Sequence, residues 1–145
     1  MTTLDRKARL FACACVREIE HLFIDPRSLT AIEVAERFAN GLETEQELQK
    51  AEQKATEAAG VIAKQFPGSG RALAAEAAAW TAAKNAVQAE AEASKLAARA
   101  AASEATAAAE TRTPEALEAA ETKTKERQAK IRADIYGPKA SPPKP

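Results

Sequence analysis

Histidine, cysteine and aromatic residues are scarce in this chain of 145 residues. It contains one histidine, two cysteines, one tryptophan, one tyrosine and four phenylalanines. A single histidine leaves few general bases that titrate near neutral pH. Net charge is also missing, because 21 basic residues balance 21 acidic ones, and this gives no global reason to bind nucleic acid or an anionic membrane. The composition therefore favours a protein that is not an enzyme and needs no cofactor.

Long apolar runs are absent as well. The sequence has no run of about 18 apolar residues, so we expect no membrane-spanning helix. The N-terminal apolar stretch is short, is followed at once by Arg17 and Glu18, and lacks the cleavage-site pattern of a signal peptide. We therefore expect a cytoplasmic protein, in which Cys13 and Cys15 are reduced thiols.

Alanine takes the place of the missing apolar residues. Of the 26 Val, Ile, Leu, Met, Phe, Trp and Tyr residues, 18 lie in residues 1–66, whereas the rest of the chain is rich in Ala. Alanine has the highest helix propensity but buries little apolar area. The sequence therefore predicts an all-α fold in which the first half supplies most of the core.

Three helices are predicted in the first half. The first runs from Leu4 to Phe23, because its apolar residues recur every three or four positions. The predicted buried stripe is Leu4, Ala8, Phe11, Cys15, Ile19 and Leu22, and the predicted opposite face is Arg6, Arg9, Cys13, Arg17 and Glu20. The second helix begins at Asp25-Pro26, an N-cap followed by proline, and ends in a Gly41 cap with an apolar contact from Leu42.

The third helix begins after Thr44, which forms a predicted capping box with Glu47, and it ends at Pro67. Its predicted stripe is Leu48, Ala51, Ala55, Ala58, Ile62 and Phe66. The following Pro67-Gly68-Ser69-Gly70 segment is a turn by composition.

The second half is predicted to form a helical hairpin. No Gly or Pro interrupts the chain from Arg71 to Arg112, which predicts one long helix with a seam at Leu73, Trp80 and Val87, or at most a kink near Ala93-Ser94. Thr113-Pro114 predicts the start of a last helix, which runs to Tyr136 with an apolar side at Leu117, Ala120, Ile131 and Ile135.

The predicted organisation is thus about five helices in two parts and a tail. Residues 1–66 form a compact bundle of three helices, and residues 71–136 form the alanine-rich hairpin packed on it. Residues 137–145, rich in proline, form an extended tail of polyproline type.

Several segments resemble a large bacterial family of uncharacterised, paralogous, alanine-rich helical proteins. The segment RLFACAC (Arg9 to Cys15) is similar to the start of that family, and VAERFANG (Val34 to Gly41) is similar to its VAERxADG helix end. The stretch around Trp80 and the Ile135-Tyr136-Gly137-Pro138 element also resemble its later segments, so the likeness covers most of the chain. Members often carry a further cysteine where this chain has Val16. The resemblance implies no activity and no site.

Cys13, Cys15 and His21 are the only cluster of metal-binding type. Residues two apart on a helix point about 200° from each other, so the two thiols are poorly placed to bind one ion. His21 lies off the face of Cys15, and nothing nearby would orient its imidazole for a catalytic pair. We expect buried structural thiols, a histidine at a helix surface or end, and neither a catalytic nor a metal site.

The acidic groups carry no predicted site either. Glu33 with Glu36, and the cluster Glu43, Glu45 and Glu47, are better explained by capping and solvation than by acid–base chemistry or a di-metal site. The Gly68-Ser69-Gly70 turn is too short for a phosphate-binding loop.

Two functions remain open. The first is a non-catalytic interaction or scaffold module whose alanine-rich hairpin, or the groove between hairpin and bundle, binds an unidentified protein or a second copy of the chain. The alternative is a nucleic-acid-binding accessory protein that uses the basic last helix, with Lys139 and Lys144 of the tail extending the contact. Its candidate phosphate-binding residues are Lys123, Lys125, Arg127, Lys130 and Arg132. They are scattered around the helix among acidic residues, so we expect a solvated face and favour the first function.

Overall fold

The computed structural model describes residues 2–108 and 113–137, and within them it contains helices and no strand. The six α-helices are α1 (Thr3–Arg17), α2 (Pro26–Ala39), α3 (Glu45–Gln65), α4 (Gly70–Thr81), α5 (Ala86–Ala108) and α6 (Pro114–Tyr136). One 3₁₀ turn, Glu20–Leu22, follows α1. The predicted all-α class is confirmed. None of the described helices is both long and apolar enough to cross a bilayer.

Side-chain caps begin the helices where the sequence predicted them. Asp25 accepts a hydrogen bond from Arg27 N at 2.9 Å, and Thr113 accepts one from Ala116 N at 3.1 Å. Thr44 accepts one from Glu47 N at 3.2 Å, but the Glu47 carboxylate lies 3.9 Å from Lys50 Nζ. The threonine side of the predicted capping box is therefore formed, whereas the Glu47 side chain lies near Lys50 of the same helix.

The glycine cap after α2 is also confirmed. Gly41 has φ of +75°, a left-handed conformation that glycine adopts without strain, and Leu42 N donates to the Arg37 carbonyl at 2.8 Å. The Leu42 side chain, however, is 68% exposed, so the expected apolar contact after the cap is not a buried one.

The helices run up and down the bundle. Arg6 of α1 bonds to Asn40 beyond the end of α2, and Arg27 at the start of α2 lies near Glu57 in the second half of α3. These contacts make α1, α2 and α3 successively antiparallel. The start of α1, the end of α2, the end of α4 and the start of α5 therefore meet at one end of the molecule.

One hydrophobic core takes members from α1 to α5, and most of them are alanines. Helix α1 contacts α2, α4, α5 and α6, so more than one of its faces is buried. This corrects the predicted single stripe: Arg9 and Cys13 are each 1% exposed, although they were predicted on the solvent face, while Leu4 is 68% exposed. The first helix also ends at Arg17, earlier than the predicted Phe23.

The predicted continuous helix from Arg71 to Arg112 is wrong. Helix α4 ends at Thr81, four residues turn, and α5 begins at Ala86. Asn85 starts α5 by accepting a hydrogen bond from Gln88 N at 3.0 Å, so the break lies far from the suggested kink at Ala93-Ser94. Because Trp80 and Val87 belong to different helices and Val87 is 60% exposed, the predicted seam does not form.

Helix α6 packs antiparallel to α5, so the antiparallel pair is α5 and α6 and not the predicted helix from Arg71 to Arg112 and the last helix. Gln128 donates to the Ser94 carbonyl at 2.8 Å, and Tyr136 donates to Glu90 at 2.5 Å. Ile131, Ile135 and Tyr136 pack partly buried against the core. Gly137 ends the helix with φ of +85°. The remainder of the predicted tail, residues 138–145, lies outside the described residues, as does Arg112.

Candidate functional site

The Arg9 guanidinium caps the end of α4. Its Nη1 donates to the carbonyls of Thr81 and Ala83, both at 2.7 Å, and Nη2 donates to that of Lys84 at 3.2 Å. The last carbonyls of a helix lack partners within the helix and carry partial negative charge, so a cation there is favourable. Arg9 therefore caps the C-terminal end of α4, where the sequence has no glycine.

The Arg9 side chain is buried, and its surroundings shift the pKa of the guanidinium in opposite directions. Burial lowers the pKa of the guanidinium, while Cys13, Asp5 and Glu52 oppose that shift. The guanidinium also lies over the Phe38 ring, 5.3 Å from its centre. Its Nε has no hydrogen-bond partner among the described residues. Arg9 thus binds the carbonyls of the turn at residues 82–85. It also lies at the bottom of a concave surface on this part of the molecule.

That surface is concave, and we call it the end groove. It consists of four concavities of about 230, 260, 430 and 480 Å³ that share lining residues. They lie between α3, the second half of α4 and the start of α5, and they reach α1 and the end of α2. The main lining side chains are Phe38, Glu45, Glu52, Trp80, Lys84 and Gln88.

Apolar and aromatic side chains form part of the groove. Phe38 and Trp80 are both partly buried, each packed on one side against the core. Leu48 is buried beneath the first concavity, and Val87 is 60% exposed at the edge where α5 begins. Tryptophan is one of the residue types enriched at binding hot spots, and Trp80 is partly exposed on a helix.

Negative charge predominates around the groove. Four carboxylates line it, from Asp5, Glu45, Glu52 and Glu76, whereas Lys84 is its one exposed cation among the described residues. The second cation, Arg9, is buried and donates to main-chain carbonyls. Partial burial raises the pKa of Glu52, and the nearby Arg9 charge opposes this. The groove is therefore acidic overall, with apolar surface at Phe38, Trp80 and Val87.

The two cysteines are buried, which agrees with the expected buried thiols but not with the position of Cys13 on the predicted solvent face of the first helix. Both are free and 1% exposed. Burial raises the pKa of each thiol from 9.0 to about 12, with smaller contributions from Glu36 at Cys13 and from Glu90 at Cys15. Because the thiolate is the nucleophilic form, both are poor nucleophiles near neutral pH. His21 is exposed in the 3₁₀ turn, at the helix end where it was expected.

The acidic residues considered above do not converge on one site within the described part of the chain. Glu36 accepts two hydrogen bonds from Arg17, at 2.7 and 3.1 Å, and Glu43 lies 3.5 Å from Arg37. Glu45 lies at the end groove and Glu33 is exposed. Within residues 2–108 and 113–137, no three His, Cys, Asp or Glu side chains converge in a way that could hold a metal ion.

The five candidate phosphate-binding residues do not form one patch. Arg127 pairs with Glu18, the residue that follows α1, and Arg132 pairs with Glu90 of α5 at 3.0 Å. Arg132 also lies over the Tyr136 ring, 4.6 Å from its centre. Lys123, Lys125 and Lys130 are exposed, but Lys125 lies on the opposite side of α6 from the other two because of the helical period. The two arginines thus attach α6 to the bundle.

No protein-family model, curated protein or solved structure matches this chain. The likeness of the RLFACAC and VAERFANG segments to a bacterial family stays a prediction.

Sequence reasoning missed the role of Arg9 and, with it, the position of the groove. The carbonyls that Arg9 caps lie 72 to 75 residues away in the chain, so no local spacing connects them. The one sequence signal for the turn was Asn85, because asparagine is common at helix N-caps and this one lies in the middle of an alanine-rich segment. It marks the start of α5 and hence the position of the turn.

Proposed function

We propose that this protein is a non-catalytic interaction module, and that it binds a segment of another polypeptide or of a second copy through the end groove. The observation that carries this proposal is the combination of Trp80, Phe38 and exposed Val87 in a groove built on helices. Aromatic anchors in a pocket with a polar rim are typical of protein-binding surfaces.

The chemistry of the described residues supports a binding role over a catalytic one. The thiols are buried and have raised pKa values, and the residues that line the groove include carboxylates, Lys84 and Arg9 but no histidine. Two buried, free thiols also fit a reducing compartment, so we further propose that the protein acts in the cytoplasm.

The nucleic-acid alternative receives less support. Two of its five residues, Arg127 and Arg132, already pair with Glu18 after α1 and Glu90 of α5, and the end groove is acidic. Phosphate contacts through α6 would require those pairs to open.

The proposal is tested by blocking the groove. Thr56 and Gln88 are exposed groove residues, so Thr56→Arg and Gln88→Arg add bulk there without disturbing the core. Thr122→Arg is the matched control, since Thr122 is an exposed helical threonine on α6. Sedimentation measures self-association, and affinity capture from the native host with mass spectrometry measures partner binding.

We expect the wild-type chain and the Thr122→Arg chain to show the same association, and both groove variants to lose it. The proposal is wrong if the wild-type chain is strictly monomeric and captures nothing above background. It is equally wrong if the groove variants bind as well as the control.

A further inference from the structure

One face of α3 lines the end groove along about four turns. The α3 side chains that are at least partly exposed there follow one another at alternating intervals of four and three residues, which keeps them on one side of the helix. They are Glu45, Gln49, Glu52, Thr56 and Ala59. The face of α3 that is buried in the bundle is a different one, marked by Ala51, Ala55 and Ala58.

Helix α4 supplies the other side of the groove. It packs alongside α3, and its Glu76 and Trp80, four residues apart, line the same concavity. Thr56, Ala59 and Ala79 also line it and are small, so the backbone of another chain can approach closely. Side chains three and four residues apart on both sides of a channel match the ridges of a third helix.

The dimensions and the fold also favour a helix as the occupant. The α3 face extends from Glu45 to Ala59, roughly 21 Å at about 1.5 Å per residue, so a helix of about 14 residues would fill it. An added β-strand would need a sheet edge for its main-chain hydrogen bonds, and the described residues form no strand.

The charges of the groove indicate which side chains such a helix carries. Glu45 and Glu52 lie seven residues apart on α3, and Glu76 lies on α4. Within residues 2–108 and 113–137 these three carboxylates form no ion pair, and neither does Lys84. Two cations seven positions apart on a partner helix have the same spacing as Glu45 and Glu52, about 10 Å along the axis.

We propose that the end groove binds an amphipathic helix of another polypeptide, which carries two Lys or Arg residues seven positions apart and apolar side chains three and four positions after each of them. The basic residues contact Glu45 and Glu52, and the apolar ones pack on Trp80 and the small side chains beside it. This inference rests on the proposed function, and it adds the class of partner.

The exposed lysines of α6 do not supply such a helix from a second copy. Lys123 and Lys130 are exposed and seven residues apart, but the positions three and four residues after Lys123 are Glu126 and Arg127. We therefore assign the occupant to another protein.

Designed peptides of about 16 residues, a length that permits helix formation in alanine-rich sequences, test the inference. The matched peptide contains mostly alanine and glutamine, two lysines seven positions apart, and leucines three and four positions after each lysine. Trp80 reports binding, because it is the only tryptophan in the chain and it lines the groove. We expect a saturable change in its fluorescence.

Two control peptides test the helical register. Moving both lysines two positions along the peptide places them about 200° around the helix, and this should weaken binding by roughly fivefold. A central proline breaks the helix and should abolish binding.

Protein variants test the assigned carboxylates. Glu45→Gln/Glu52→Gln should weaken binding of the matched peptide by roughly fivefold, the effect that two partly exposed ion pairs can supply. Glu115→Gln/Glu118→Gln makes the same change in charge on exposed residues of α6 and should keep the wild-type affinity. Glu45→Lys/Glu52→Lys should prefer a peptide with glutamates in place of the lysines. Circular dichroism verifies that each variant is folded.

The inference is overturned if the matched peptide leaves Trp80 fluorescence unchanged, or if either control peptide binds equally well. It is also overturned if the groove glutamine variant binds as tightly as the α6 control. These outcomes differ from failure of the proposed function. Peptide binding without any captured native partner contradicts only the proposed function, whereas a native partner that Thr56→Arg abolishes, without peptide binding, contradicts only this inference.

Discussion

Arg9 Nη1 lies 2.7 Å from the carbonyl oxygen of Thr81, and this hydrogen bond joins the first turns of α1 to the end of α4. The same nitrogen reaches Ala83, so one guanidinium binds both sides of the point where the helix ends. A helix that ends without glycine normally exposes its last carbonyls to water. Here they are buried, and the arginine replaces the water.

Replacing Arg9 should strongly destabilise the fold. We expect Arg9→Met to cost about 3 kcal/mol in free energy of unfolding, because it removes the donor from two buried carbonyls and one partly buried carbonyl. Arg9→Lys should recover only part of this, since an ammonium cannot span the same carbonyls. Urea unfolding measures the stability of both variants, and Arg99→Met is the matched control because Arg99 is exposed. A loss at Arg9 no greater than that at Arg99 would contradict the proposed role of the cap.

Replacing Asn85 should weaken the start of α5. Asn85→Ala removes the acceptor for Gln88 N and should cost about 1 kcal/mol, whereas Asn85→Asp keeps an acceptor and adds a favourable charge at the helix start. The difference between these two variants in urea unfolding checks the cap. Equal stability of the alanine and aspartate variants would show that the turn at residues 82–85 does not depend on the side-chain cap of Asn85.

The buried thiols predict a loss of stability at alkaline pH. Each thiol has a folded-state pKa of about 12 against an ordinary value of 9.0, so the unfolded chain releases its protons first as the pH rises. Their contribution is complete below about pH 9 and is lost between about pH 9 and 12, with a slope of up to about 1.4 kcal/mol per pH unit for each thiol.

A Cys13→Ala/Cys15→Ala variant should therefore show a shallower fall in unfolding free energy over that range, measured by urea titration at successive pH values. Alkylation by iodoacetamide at pH 8 should be slow in the folded wild-type protein and fast in urea. Rapid labelling of the folded protein would mean that the thiols are accessible.

Duplex DNA should bind poorly even at low salt. Arg127 and Arg132 are committed to Glu18 and Glu90, and the lysines of α6 point to different sides of the helix. A gel-shift titration of the full chain at micromolar protein should show no retained duplex. Retention that falls steeply with salt and is lost in Lys123→Glu/Lys125→Glu would favour the nucleic-acid function instead.

Local signals in the sequence were sufficient for most helix starts. Asp25, Thr44 and Thr113 cap the helices that follow them, since a cap depends only on residues two or three positions away. The burial of Arg9 and Cys13 could not be predicted in the same way. It depends on which helices surround α1, and a periodicity analysis assumes that only one face is covered.

The end groove was predictable only in outline. A groove between the bundle and the hairpin was one of the two expected binding surfaces, but its position follows from the turn at residues 82–85. The sequence signal for that turn is a single asparagine, Asn85. The alanines on both sides of it have high helix propensity and so favour a continuous helix. The partners that hold the turn come from the far end of the chain.

The alanine core reverses the usual pattern of tolerance to substitution. In a leucine-rich interior most damage comes from truncation, because a large side chain leaves a cavity behind. Ala74, Ala78, Ala93 and Ala100 are fully buried here and have only one methyl group to lose. Added carbon atoms would instead push neighbouring helices apart along their length. In related sequences the buried alanine positions should therefore accept few residues other than glycine and serine. Most of the substitutions should then lie at the surface.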